Sequence, residues 1–288
     1  MSQPIDHALF RTYPLTSQKK LSTGLAPVPY HVYAGHVSFI TGVADLNGVR
    51  ALLANERAQP IETTDDRALI GLWVCDFSAA SLGPHQELQV SFLVSRQPVP
   101  PIEPQPLAVP KLMLTRPETR LLCHGLWNNT TTVVAYNREL LGLNARLAYG
   151  LITRDEHVNS KHFEFTDKDS GQVIVTGQLR ELPQTSRAAN WALLKALGWR
   201  RSMTAAQQPW IAAQVMNPIG LFKMNAEAQA YLAADRQVLQ IVEAGDVTIE
   251  FGANVYQGLN FQPQAVQHFS GFKFVYLNPH NAGDTALA

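Results

Sequence analysis

Residues 68–77 read Ala68-Leu69-Ile70-Gly71-Leu72-Trp73-Val74-Cys75-Asp76-Phe77, a nearly continuous apolar run of strand length. A strand of that composition is buried on both faces. A turn signal, Ser81-Leu82-Gly83-Pro84, follows and is too long for a two-residue hairpin. Residues 87–96 then alternate, with Leu88, Val90, Phe92 and Val94 on one side and Gln89, Ser91 and Ser95 on the other.

Working outward, strand signals outnumber helix signals. Tyr30–Ala34 and His36–Val43 are β-branched and aromatic runs parted by Gly35, and Leu121–Trp127 is a further strand. Phe163–Leu179 reads as a hairpin with Asp169-Ser170-Gly171 at its tip, and the last third returns to strands at Ile219–Met224, Gln237–Glu243, Val247–Phe251 and Phe272–Leu277. Helices are expected after an Asp45 cap, over Asn129–Leu141 with Gly142 as the stop, from Ser186 to Gly198, and over Thr204–Gln214. Six prolines between Pro98 and Pro110 exclude a central strand or a helix there, leaving a long loop within one domain. The expected class is α+β, predominantly β.

The chain of 288 residues is 46% hydrophobic and 16% charged, enough apolar material for a sizeable core and too little charge for disorder or a charge-laced coiled coil. Its 23 basic and 23 acidic side chains cancel, which argues against nucleic acid or an anionic membrane as partner. No window resembles a membrane span, and the polar start, with Pro4, Asp6 and Pro14, does not read as a signal peptide. Cys75 and Cys123 sit in apolar runs as free thiols, so the expected location is the cytoplasm.

Motifs for nucleotide cradles, a nucleophile elbow and zinc proteases are missing, and His85-Gln86-Glu87 lacks the cysteines of zinc deaminases. His157 and His162 with Asp155 and Glu156 form the densest set of metal-ligand types, in a stretch better read as a solvated loop. No metal and no cofactor is expected.

Two segments together resemble the acetoacetate decarboxylase family: Ala80 to Glu87, and Cys123-His124-Gly125-Leu126-Trp127-Asn128-Asn129 followed by Val133-Val134-Ala135 and Arg138-Glu139-Leu140-Leu141-Gly142. The opening Pro29-Tyr30 and the closing strand agree in order. The resemblance implies a closed β-barrel or cone with a few flanking helices over residues 25–280, an extension over 1–24 and a tail over 281–288. It also implies a homo-oligomer and a small carbonyl- or carboxylate-bearing ligand. Where the family places Pro-Lys-Lys, with a Schiff-base lysine, this sequence has Asn144-Ala145-Arg146, and no lysine lies between Lys111 and Lys161. The family's arginine falls on Gly35 and its first pocket glutamate near Leu72.

Glu87 is read either as a surface carboxylate or, through the resemblance, as a pocket acid/base; His124 as a core histidine or a pocket group; Arg146 as a strand-edge cation or an oxyanion partner. His85, Trp127, Asn144 and Arg138 complete the candidate site as substrate-binding residues, although Trp127 and Tyr136 also read as packing. The expected function is proton-transfer chemistry of lyase, hydratase/dehydratase or cyclase type without a lysine imine. The alternatives are a non-catalytic binding protein and a decarboxylase whose lysine has moved to Lys161 or Lys111.

Overall fold

The structure, a computed structural model, describes residues 6–155, 157–207, 210–216, 226–278 and 280–281. In chain order the strands are β1 (Ser17–Leu21), β2 (Gly24–Val28), β3 (Tyr30–Asp45), β4 (Gln59–Pro60), β5 (Arg67–Ala80), β6 (His85–Ser95), β7 (Thr119–Asn128), β8 (Ala145–Asp155), β9 (Ser160–Asp167), β10 (Val173–Arg180), β11 (Trp210–Met216), β12 (Ala226–Ala233), β13 (Arg236–Ile241), β14 (Val247–Phe251), β15 (Gln262–Ser270), β16 (Lys273–Tyr276) and β17 (His280–Asn281). The helices are α1 (Ala8–Thr12), α2 (Leu46–Leu52), α3 (Ala108–Thr115), α4 (Thr131–Ala135), which runs into a π turn at Tyr136–Leu140, and α5 (Arg187–Gln207). The predominantly β reading of the sequence stands.

The run at 68–77 finds an apolar layer on each side. Strand β5 lies antiparallel between β3 and β6. Leu69, Trp73, Cys75 and Phe77 enter one apolar cluster; Ala68, Ile70, Leu72 and Val74 enter the other. Pairing continues β11–β12–β16–β3–β5–β6–β7, and β7 in turn pairs with β11. Strand β8 joins β7 in parallel, β9, β10 and β14 continue antiparallel, and together they bring Phe163, Phe165, Val175 and Leu179 over Leu72, Leu88 and Val90. Burying each of those phenylalanines contributes about 1.5–3 kcal/mol. The opposite face of β5 and β6 borders the cavity described below.

Several expectations needed correction. Tyr30–Ala34 and His36–Val43 are one strand, with register shifts on either side of Ala34; at Gly35 a Cβ would stand 2.7 Å from the Asp76 carbonyl oxygen. The proline-rich stretch ends in helix α3, with Pro110 in its first turn, where the missing N–H has no intrahelical partner to lose. The expected helix over Thr204–Gln214 is instead the end of α5, which is broken at Gly198 (φ 75°), followed by strand β11. Ile219–Met224 lies outside the described residues. The hairpin tip is as read: Gly171 takes φ 69°, and the Asp167 carboxylate accepts from the backbone N–H of Asp169 and Ser170. Among the described residues no helix is long and apolar enough to cross a membrane.

Candidate functional site

Strand β6 decides where Glu87 points. Leu88, Val90 and Phe92 go to the cluster shared with β9 and β10, so the alternate residues, Glu87 and Gln89, face the other way. That side borders a cavity of about 60 Å³, lined by Glu87, Gln89, Tyr30, Trp73, Cys75, Phe77, Leu121, Leu126, Asn137, Leu143, Ala230, Phe272, Phe274 and Tyr276. It holds about four to six waters, or an organic molecule of that bulk. Cys75 and Trp73 of β5 stand directly beside Glu87 and Gln89 of β6.

The carboxylate is held from one side. Asn128 Nδ2 donates to Glu87 Oε2 at 2.8 Å, and Asn137 Nδ2 donates to Asn128 Oδ1 at 3.0 Å. Burial pushes the Glu87 pKa up to about 7, the Asn128 hydrogen bond partly opposing it. Glu87 is half-buried and lines the cavity. Burial, with the Glu87 charge adding to it, also raises the Cys75 thiol well above its ordinary value, so this sulfur stays protonated at neutral pH.

His85 stands behind the cavity wall. Its Nδ1 lies 2.8 Å from the Gly83 carbonyl, which can only accept, so Nδ1 carries the proton and Nε2 accepts from the Tyr30 hydroxyl at 2.8 Å. Burial lowers its pKa and keeps the ring neutral. His85 therefore reaches the cavity only through Tyr30.

The other candidates lie elsewhere. A register shift pairs Val90 with Gly125 and Ser91 with Cys123, leaving His124 as the extra residue of a bulge. Its ring turns away from the cavity toward Phe92, with Nδ1 2.8 Å from the Tyr256 hydroxyl. Burial, opposed by a hydrogen bond to the Leu52 carbonyl, lowers its pKa to about 4. Arg146 is exposed on β8 and, with Arg138, Asn144 and Trp127, lines a separate open cleft that also contains Asp167, Ser170 and Asn254. The structure thus divides the expected constellation three ways: Glu87 in the cavity, His124 between the sheets, and the Arg146 group in the outer cleft. Trp73, Asn128, Asn137 and Tyr276 were not singled out from sequence; an asparagine at the end of an apolar strand, as at 128, was the available signal.

Ala145, where the resemblance places the imine-forming amine, pairs with Leu126 of the cavity wall and is buried in the same apolar cluster. Lys161 is fully buried, with Nζ donating to Ser38 Oγ at 3.1 Å. Burial first, then the nearby Arg154 cation, lowers its pKa to about 8. It packs on the β9 face with Phe163 and Phe165, and Ser38 pairs with Val74, so it sits across the sheet from the cavity. Among the described residues no three His, Cys, Asp or Glu side chains gather as metal ligands would; His157 and His162 are both exposed.

No family model and no curated protein matches the chain. Solved structures do. An acetoacetate decarboxylase from Legionella pneumophila superposes with a TM-score of 0.57 over 98% of both chains at 11% identity. A second acetoacetate decarboxylase gives 0.53 over 87% of both at 14% identity. The enduracididine biosynthesis enzyme MppR, complexed with pyruvate, gives 0.54 over 92% of this chain and 95% of its own at 11% identity. The fold is that of the acetoacetate decarboxylase-like structures.

Proposed function

We propose that the protein is an enzyme that moves a proton on a small carbonyl- or carboxylate-bearing molecule bound in the Glu87 cavity, without a lysine imine. The observation that carries this reading is a carboxyl group lining a mostly apolar cavity and held by Asn128, its pKa raised to about 7 by burial. A general base works best with a pKa near the working pH, and burial alone supplies that tuning here. The fold neighbours support the small-molecule class: two are decarboxylases of a keto acid by name, and one holds pyruvate. Ala145 supplies a methyl where an imine would need an amine. The reaction is accordingly of lyase, hydratase/dehydratase or cyclase type, beginning with proton abstraction by Glu87. In the same reading the strands around the cavity act as a closed wall, and the chain works as a cytoplasmic homo-oligomer.

Incorporation of deuterium from D2O into a panel of small carbonyl and carboxylate compounds tests this. Glu87→Gln, which keeps the shape and a partner for Asn128, should lower the exchange rate by about 10²–10⁴-fold. A compound that binds without exchanging in the native protein would instead favour a non-catalytic binding role.

A further inference from the structure

Two side chains of the cavity wall carry buried donors that have no hydrogen-bond partner among the described residues: the Trp73 indole N–H and the Tyr276 hydroxyl. Both are more than nine-tenths buried. A buried donor without a partner costs about 1–3 kcal/mol, a cost that a ligand acceptor removes. Trp73 is diagonal to Glu87 across the β5–β6 pair, a separation of about 7–8 Å between such neighbours. Tyr276 stands beside Tyr30, which also lines the cavity, and is close enough to Glu87 to feel its charge. Among the described residues the wall contains no lysine, arginine or histidine, and its one ionisable carboxyl would repel an anion.

We propose that the cavity takes an uncharged carbonyl compound, its oxygen held by the Trp73 N–H and the Tyr276 hydroxyl while Glu87 faces the adjacent carbon. The assignment rests on the proton-transfer reading of Glu87 and narrows its substrate class. The Glu87 carboxylate takes a proton from the α-carbon, the C–H electron pair becomes the new C=C bond, and the carbonyl π pair moves to oxygen. The two donors stabilise that oxygen as its charge grows, from a mostly apolar wall. Return of a proton, or of a deuteron from solvent, to the same carbon closes the cycle without a further reactant. Anionic keto acids lack a counter-charge here and pay the full cost of desolvating a carboxylate beside Glu87.

The experiment compares deuterium exchange at the α-carbon of butanone and 2,3-butanedione with that of pyruvate and acetoacetate, followed by NMR with the 288-residue chain. The neutral compounds should exchange at least about tenfold faster. Tyr276→Phe and Trp73→Phe should each lower kcat by about 10–100-fold, on the scale of a lost oxyanion donor, with the pH dependence set by Glu87 unchanged. Faster exchange of the keto acids, abolished by Glu87→Gln, would overturn the neutral-substrate assignment and leave the Glu87 reading standing. Exchange of no compound above the level seen with Glu87→Gln would overturn both. A measurement on the native protein guards against variants that fail to fold. The infrared carbonyl stretch of bound 13C-labelled butanone should fall below its value in hexane, and an unshifted stretch would overturn the role of the two donors.

Discussion

Asn128 Nδ2 donates to Glu87 Oε2 at 2.8 Å, across the β6–β7 pair that sets the two residues side by side. It is the specific contact that favours the ionised form of a carboxyl otherwise pushed toward protonation by burial. Removing it raises the Glu87 pKa further, because a hydrogen bond to the charged form is lost. Asn128→Ala should therefore move the acid limb of the pH–rate profile to higher pH. The Asn137 amide loses its acceptor in the same variant, so the thermal midpoint should fall as expected for a loss of about 1–3 kcal/mol. An unmoved limb would show that the amide only fills space.

The raised pKa also has a consequence for stability. Below pH 4.5 Glu87 is protonated in both folded and unfolded chains and exerts no pull. Between pH 4.5 and about 7 the unfolded chain ionises first, so stability falls as pH rises, and above about 7 the full penalty is present. A shift of that size corresponds to about 3 kcal/mol. Glu87→Gln does not titrate. Its thermal midpoint relative to the native protein should be similar at pH 4 and higher at pH 8, which parallel melts would read directly.

The fold was legible because the strand runs are strong. Ala68–Phe77 is apolar at nearly every position, and the hairpin tip at Gly171 carries its own turn chemistry. The site was only half legible. The alternation in β6 is plain in the sequence, but not that the side bearing Glu87 and Gln89 faces a cavity rather than solvent. That depends on β12 and β16, which arrive from the far end of the chain. His124 reads from sequence as a core or a pocket histidine, and a local feature decides where its ring goes: the bulge on β7 puts it on the face opposite Leu126 and Asn128, and one extra residue reverses every inward assignment that follows it. Arg146 is exposed where its neighbour Ala145 is buried, although both border the outer cleft.

Lys161 offers the test of lysine-dependent chemistry. Its amine lies across the sheet from the cavity, so Lys161→Met should leave Glu87-dependent exchange within about twofold of the native rate. The folded pKa is lowered from 10.5 to about 8, so the unfolded chain takes up its proton first as pH falls. The penalty on folding grows between those values and is complete below about 8. The stability of Lys161→Met relative to the native protein should rise as pH is lowered from 10 to 8 and then level off. Loss of exchange in this variant, with an intact melt, would instead identify Lys161 as the relocated imine former.

Ala145 permits the converse experiment. Its methyl belongs to the same apolar cluster as Leu126, with which it pairs, and also borders the outer cleft, so Ala145→Lys introduces an amine beside the cavity wall. Extra volume in a packed core costs about 1–3 kcal/mol, and the thermal midpoint should fall accordingly. Burial disfavours the ammonium form, which leaves a larger fraction of free amine near neutral pH. Borohydride reduction in the presence of 2,3-butanedione should then add one imine-derived mass to the variant, localised to position 145, and none to the native protein. A reduced adduct on the native chain would show that covalent carbonyl chemistry already operates on one of its own lysines, and that proton transfer at Glu87 is not the whole mechanism.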